Sequence, residues 1–414
     1  MNYFYKLRRT FLLILVILIC SFIRVSANSL PETYAPSCLL MEESSGKVLY
    51  SKNANSIMYP ASTTKIMTAI LTIENCNLSD TATVSHNAVF SIPDGYSTAN
   101  LVEGEELTIE QLLNVLLIPS ANDAAVVLAE HIAGSVESFS EMMNNKAAEI
   151  GCKNTHFVNP SGVHNENHYS TAYDLALIGK YAMQLSTFRS IVSKTYCSLP
   201  ITNKYDKEDR IFSTTNELLK LNSSTSYYYQ YATGAKTGYT DPAGHCIVAT
   251  ATKDNISLIA VVLNDGFTDE NISQRPIDCK TLFEYGFNNY SMVSIANKGD
   301  VGHTINVINA TSETASLNLL YSENLSVLVP NGFDFSSVTP NIKLTQGLFA
   351  PISEGTILGS ISYDIDGVNY SCNLVASHTV YSNNLIKTAM ELALLIIILI
   401  LFAKFLNFKN RTKK

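Results

Sequence analysis

Ser62 and Lys65 stand three residues apart in PASTTKIMTA, Pro60 to Ala69, at what reads as the start of a helix. Residues three apart share a helical face, so the Lys65 amine reaches the Ser62 hydroxyl if the helix begins near Ala61. A base beside a hydroxyl is how a serine nucleophile is activated. Ser44 and Lys47 have the same spacing, but Gly46 marks a turn between CLLME and KVLYS, and Lys47 opens a strand. That copy is structural. At Ser62 the pattern leads into Ile66, Met67, Ala69, Ile70, Leu71 and Ile73, an apolar helix entering a core, where a serine and a lysine need a chemical reason.

Two further groups follow in order. Ser120, Ala121 and Asn122 fall between two helical patterns, and Lys236, Thr237, Gly238 and Tyr239 lie on a strand-like run. Ser-x-Asn alone is uninformative, since Ser51, Ser85, Ser322 and Ser382 also begin one. The ordered trio of Ser-x-x-Lys, Ser-x-Asn and Lys-Thr-Gly carries the signal.

The elements that must hold these groups are legible in outline. Cys38 to Ser51 reads as a hairpin, and Glu105 to Leu117 as an amphipathic helix with Thr108 as its cap, stopping at Pro119. Helices are expected over Asn122 to Ala133, Val136 to Ile150 and Ser170 to Met183, with a loop at Asn159 to Asn167. GAKTGYT, HCIVATAT and ISLIAVVLN form an antiparallel meander with turns at Asp241 to Gly244 and at Asp254 and Asn255, closed by a helix from Pro276 to Phe287. A hairpin at each end of a helical insertion predicts one sheet built from both ends of the domain. From Val293 to Ser377 the pattern is all short strands, with an Asp366-Gly367 turn, and reads as a β-sandwich-like module.

The two ends have other roles. Lys6, Arg8 and Arg9 precede the uncharged run Thr10 to Ile23, and Val25, Ser26 and Ala27 form a cleavage-like site, so residues 1–27 read as a signal peptide. Thr388 to Phe408 reads as a membrane span, and the basic residues after it place a tail at 409–414 in the cytoplasm. Without 1–27 and 391–414 the chain has 19 basic and 35 acidic residues, a net of −16, a poor match for nucleic acid. Seven cysteines survive processing without paired spacing, so neither a zinc site nor a disulfide framework is expected.

With these motifs the chain resembles the serine D-alanyl-D-alanine carboxypeptidases, the low-molecular-mass penicillin-binding proteins, and is most similar to the membrane-anchored type of spore-forming bacteria. The resemblance extends to NPSGVHNENHYSTAYDLA, AKTGYTDPAGHC, the β-rich module and the terminal anchor. It implies an α+β fold, an antiparallel five-stranded sheet sandwiched by helices, with a catalytic domain at 28–289 and a β-rich domain at 290–378. It also implies an exported enzyme that uses no cofactor or metal, takes a peptidoglycan stem peptide ending in D-Ala-D-Ala, and is acylated by β-lactams. Ser62 would be the nucleophile, with its own N–H and that of Tyr239 holding the oxyanion. Lys65, kept neutral by burial beside Lys236, would be the base. Ser120 would relay a proton to the leaving amine, and Asn122 would hold Lys65 and the substrate. Lys236 and Thr237 would bind the terminal carboxylate, and Gly238 would leave room for an extended peptide along the strand edge. The chain departs from the pattern at Ala121, where Gly is common, and at Tyr239, where His or Phe is often seen.

Three rival readings are disfavoured by particular residues, with a class A-like β-lactamase and a non-catalytic wall- or β-lactam-binding ectodomain standing as the alternatives. HNENH at 164–168 has its Glu one place too late for a zinc helix and sits among Pro and Gly; His168 is expected to serve structurally and Asp174 to cap or brace its helix. A class A β-lactamase needs a glutamate-held water, and NENHYSTA around Glu166 does not match that loop. A purely binding ectodomain has no use for Lys65.

Overall fold

The computed structural model describes residues 30–221, 227–268, 272–383 and 385–411. The signal peptide expected over 1–27 lies outside the described residues. The chain divides into two compact units, Met1–Asn289 and Tyr290–Lys414.

The first unit is organised by one five-stranded antiparallel sheet. Its strands are β1 (Ser37–Glu42), β2 (Val48–Lys52), β3 (Ala232–Thr240), β4 (Gly244–Lys253) and β5 (Ile256–Asp265), in the order β2-β1-β5-β4-β3. The hairpin from the start of the unit thus pairs with the meander from its end, Cys38 opposite Val262 and Leu40 opposite Ala260. Asp254 and Asn255 link β4 to β5 with φ of 49° and 64°, the paired left-handed geometry that suits a two-residue hairpin.

Helices cover both faces. Gly179 of α5 (Ala172–Gln184) lies so close to the sheet that a Cβ there would stand 3.0 Å from Val248, with Ile259 next. On the other face, a Cβ on Gly286 of α7 (Arg275–Asn289) would meet Leu258 at 2.6 Å and Leu40 at 3.0 Å. Ile259 and Leu258 are successive residues, so they report opposite faces of one sheet. On the α5 side pack α1 (Lys65–Asn75), α2 (Ile109–Leu117), α3 (Asn122–Ala133), α4 (Val136–Ile150) and α6 (Ser186–Val192), through Ile66, Ile70, Leu113, Leu116, Val127 and Phe139.

One boundary differs from the sequence reading. Glu106–Thr108 is a short strand paired with Thr81–Thr83, and the helix starts only at Ile109. Thr108 fixes that start by a capping box, accepting from Gln111 N at 3.2 Å while its own N–H donates to Gln111 Oε1 at 2.8 Å. Glu105, buried and paired with Arg210, holds the preceding segment off the helix axis.

The described residues of the second unit are mainly β, with a 3-10 turn at Phe335–Ser337 and a last helix. Strands β6 (Tyr290–Ala296), β7 (Val301–Asn306), β8 (Ser316–Tyr321), β9 (Leu325–Pro330), β10 (Asn341–Leu344), β11 (Ile357–Ile365) and β12 (Val368–Ala376) form a five-stranded sheet, β7-β8-β12-β11-β10, and a two-stranded one, β6-β9. Asp366 and Gly367, φ 51° and 79°, turn β11 into β12 where the alternation predicted it. Helix α8 (Leu385–Arg411) follows. Among the described residues no helix is long and apolar enough to cross a membrane. Side chains within α8 are described from 388 to 404, so the expected span over Thr388 to Phe408 is covered only in part.

Candidate active site

Ser62 sits in a 3-10 turn, Ala61–Thr64, that runs directly into α1. Ala61 takes φ of 46°, a left-handed conformation that an alanine adopts only when its surroundings enforce it. Lys65, the first residue of α1, places its Nζ 2.8 Å from Ser62 Oγ. It also donates to Asn122 Oδ1 at 2.6 Å and to the Ser161 carbonyl at 2.7 Å. A neutral amine has two N–H groups and one lone pair. Two carbonyl oxygens take the N–H groups, and the lone pair is left for the Ser62 hydroxyl. Lys65 is fully buried; that burial, and then the Lys236 cation, hold its pKa well below the ordinary lysine range, while Asp123 pulls the other way.

Two remote segments deliver those carbonyls. Ser120, φ 72°, turns the chain between α2 and α3, so that the Ala121 N–H donates to Val115 O and the Asn122 N–H to Ser97 O, each at 2.9 Å. Asp123 accepts from the Ala99 N–H at 3.0 Å and the Leu101 N–H at 3.1 Å, tying the loop that lines the site to α3. The second segment is the turn at Asn159. Its Oδ1 accepts from the Ser161 N–H at 3.2 Å and the Gly162 N–H at 2.7 Å, and Thr68 Oγ1 donates to Pro160 O at 2.6 Å. Gly162 has φ of 81°, and a Cβ there would fall 1.9 Å from the Ala61 carbonyl oxygen. Only glycine lets this turn reach Lys65.

His168 is structural. Its Nδ1 accepts from the Val158 N–H at 3.2 Å, which leaves Nε2 to donate to Thr64 Oγ1 at 2.8 Å. Burial pushes its pKa down to about 3. Asp174 braces the opposite end of the same loop, accepting from the Asn154 N–H at 2.7 Å and Thr155 Oγ1 at 2.8 Å.

The other wall is β3, an edge strand. Lys236 is buried and donates to Thr237 O at 2.8 Å. A Cβ on Gly238 would stand 2.8 Å from Ser62 N and 3.1 Å from Pro60 O. The space this glycine leaves is therefore filled by the backbone at Pro60 and Ser62, and is not room for an extended peptide as the sequence suggested. Tyr239 is half exposed, donates to Asp241 Oδ1 at 2.8 Å, and packs its ring 4.6 Å from that of His245.

Ser62, Ser120, Asn122, Thr237, Gly238 and Tyr239 line one cleft of 620 Å³, and Lys65 and Lys236 are buried beside it. Arg275 and Thr215 are among the lining residues that escaped the sequence reading. Arg275, first residue of α7, donates to Gly238 O at 3.3 Å and Cys246 O at 3.4 Å and pairs with Glu217. Burial and this guanidinium push the Lys236 pKa down to about 7. Because an arginine does not lose its proton, the permanent cation of the wall is Arg275. Thr215 places its hydroxyl 2.5 Å from that of Thr237, while its N–H donates to Ile118 O at 3.1 Å, just ahead of the Ser120 turn.

A family model described as D-alanyl-D-alanine carboxypeptidase, peptidase family S11, matches residues 24–266, more than half of the chain. The chain belongs to that family. A second model, the C-terminal domain of penicillin-binding protein 5, matches residues 290–382 of this family member. The chain is 35% identical over 338 residues to D-alanyl-D-alanine carboxypeptidase DacF of Bacillus subtilis, covering 80% of this chain and 82% of that protein. It is 27% identical to DacA of Escherichia coli, over 83% of both chains. Among solved structures, penicillin-binding protein 5 of Haemophilus influenzae is similar at a TM-score of 0.66 and 29% identity, covering 86% of this chain and 99% of that one. PBP3 of Streptococcus pneumoniae shares the fold at a TM-score of 0.73 and 24% identity.

Proposed function

We propose that this family member removes the terminal D-alanine from peptidoglycan stem peptides ending in D-Ala-D-Ala, through an acyl-enzyme on Ser62. The arrangement of Lys65 carries the reading: a buried amine whose two N–H groups are occupied by Asn122 Oδ1 and Ser161 O, with Ser62 Oγ at 2.8 Å. Ser62 Oγ attacks the carbonyl carbon of the penultimate residue and its proton passes to Lys65 Nζ. The oxyanion is held by the N–H groups of Ser62 and Tyr239, each such donor contributing about 3 to 4 kcal/mol. On collapse, Ser120 relays a proton to the departing amine and D-alanine leaves; water then hydrolyses the ester. Thr237, with Lys236 behind it, binds the substrate's terminal carboxylate, and Arg275 adds the charge that does not titrate. A β-lactam acylates Ser62 by the same attack.

The enzyme is exported after loss of 1–27, with its catalytic domain at 28–289 and its β-rich domain at 290–378. It is anchored to the outer face of the cytoplasmic membrane by 388–408, leaving 409–414 in the cytoplasm. The anchor is supported by α8, whose consecutive residues Leu394 to Phe402 are all exposed, so the apolar surface runs all round the helix. Incubation of the purified protein with labelled penicillin and with a pentapeptide ending in D-Ala-D-Ala tests the chemistry. Covalent label on Ser62 together with released D-alanine is expected. Rapid penicillin turnover without release of alanine would instead make the protein a β-lactamase, and neither signal would leave only a binding module.

A further inference from the structure

One end of the β-rich unit has an unusual surface. Three segments meet there beyond the ends of the strands. The Ile308 N–H donates to Leu348 O at 3.0 Å and the Ala350 N–H to Ile308 O at 2.9 Å, while the Thr311 N–H donates to Tyr381 O at 2.9 Å and the Asn383 N–H to Asn309 O at 2.7 Å. The side chains of Ile308, Phe349 and Tyr381 are more than half exposed at this end. The short segments that carry them, 307–312, 347–353 and 378–383, contain no Asp, Glu, Lys or Arg, and the exposed Glu313 and Glu354 stand at their edges. In a chain whose exported part has 35 acidic residues, an end tipped with a phenylalanine, a tyrosine and an isoleucine is a feature to explain.

We infer that this end of the β-rich unit rests on the bilayer, with Phe349, Ile308 and Tyr381 entering the headgroup region. The inference rests on the anchor reading above, which supplies the lipid. Continuity favours it: Tyr381 lies on the segment that leads into α8, and Asn309, Pro351 and Ser382 share a cavity of 890 Å³ with Met390, Leu394 and Ile397 of that helix. A tyrosine and a phenylalanine at this level match the aromatic belt of membrane proteins. Interfacial contact by a partly apolar end also leaves its backbone polar groups in a hydrated layer, which the hydrocarbon interior would not.

The chain has no tryptophan, so single substitutions report one position each. Full-length Phe349→Trp, Ile398→Trp and Asn369→Trp variants are reconstituted in phosphatidylglycerol/phosphatidylcholine vesicles with brominated acyl chains. Residue 398 reports the anchor, and exposed Asn369, next to the far turn of β11 and β12, is the distal control. Emission from position 349 is expected to be blue-shifted and quenched at least about twofold, with position 369 unchanged. Quenching at 398 with none at 349 overturns the inference and leaves the anchor standing. Silence at both positions overturns the two together. A blue shift at 349 that needs no lipid and grows with protein concentration assigns this end to a second copy of the chain and equally overturns the inference.

Discussion

Replacing Gly162 by alanine tests how the active site is assembled without touching a reacting group. The new Cβ would lie 1.9 Å from the Ala61 carbonyl oxygen, against the 3.0 Å that real Cβ atoms keep, so one backbone must retreat by about 1.1 Å. Neither can rotate aside, because the contact is with main chain on both sides. The turn at 159–162 supplies the Ser161 oxygen to Lys65, and Ala61 precedes the nucleophile, so either retreat changes the relation of Lys65 to Ser62. A displacement of about 1 Å at reacting atoms costs roughly 10²-fold in rate, or about 2.7 kcal/mol of transition-state stabilisation. The left-handed φ of 81° adds about 1 to 2 kcal/mol of strain to the folded state, lowering the melting temperature by several degrees. Stopped-flow acylation by a fluorescent penicillin and release of D-alanine, with circular dichroism to verify folding, measure both effects. A folded variant that acylates within threefold of the parent at an unchanged melting temperature would refute the reasoning.

Three further outcomes are expected. Asn122→Asp puts a carboxylate where Oδ1 stands 2.6 Å from Lys65 Nζ; it raises the lysine pKa and keeps the base protonated, so acylation at pH 7 falls at least about 100-fold and recovers as pH rises. An unchanged pH profile contradicts this. Thr215→Val removes the hydroxyl 2.5 Å from that of Thr237; kcat/KM for a peptide with a free terminal carboxylate drops about tenfold through a higher KM, with rescue by Thr215→Ser, and an effect on kcat alone would assign Thr215 another task. His168, neutral in the fold with its pKa depressed to about 3, titrates near 6.5 when unfolded. The unfolded chain therefore binds the extra proton, and stability is lost as pH falls below about 6.5 toward 3, at about 1.4 kcal/mol per unit. His168→Gln should flatten that part of the acid-unfolding curve, measured by urea denaturation; an equally steep curve removes His168 as the cause.

The sequence exposed the reacting groups because their spacing is short-range: Ser62 to Lys65 spans one turn, and Lys236 to Tyr239 one strand segment. It also exposed the sheet, since buried strands such as ISLIAVVLN and the turn at Asp254 and Asn255 carry local signals. Contacts made across the fold were not legible. Ser161 acts through a main-chain carbonyl, which has no sequence signature, and the constraint that brings it to Lys65 is a glycine, Gly162, that read as an ordinary loop residue. Arg275, just ahead of the helix expected from Pro276, and Thr215 carry no local signal, and only β3 and α7 bring them to the cleft. The helix was read as starting at Glu105 because amphipathic spacing runs back past the Thr108 cap, whereas pairing of 106–108 with Thr81–Thr83 and of Glu105 with Arg210 holds that stretch off the helix.

The central claim is a protonation state, and it is measured most directly by following the ε-carbon of Lys65 in protein labelled with ¹³C at lysine Cε, assigned by the loss of one resonance in Lys65→Arg. The account predicts that this carbon titrates well below the lysine reference of about 10.4. A Lys65 that holds its proton up to that reference would leave Ser62 without its base and contradict the account.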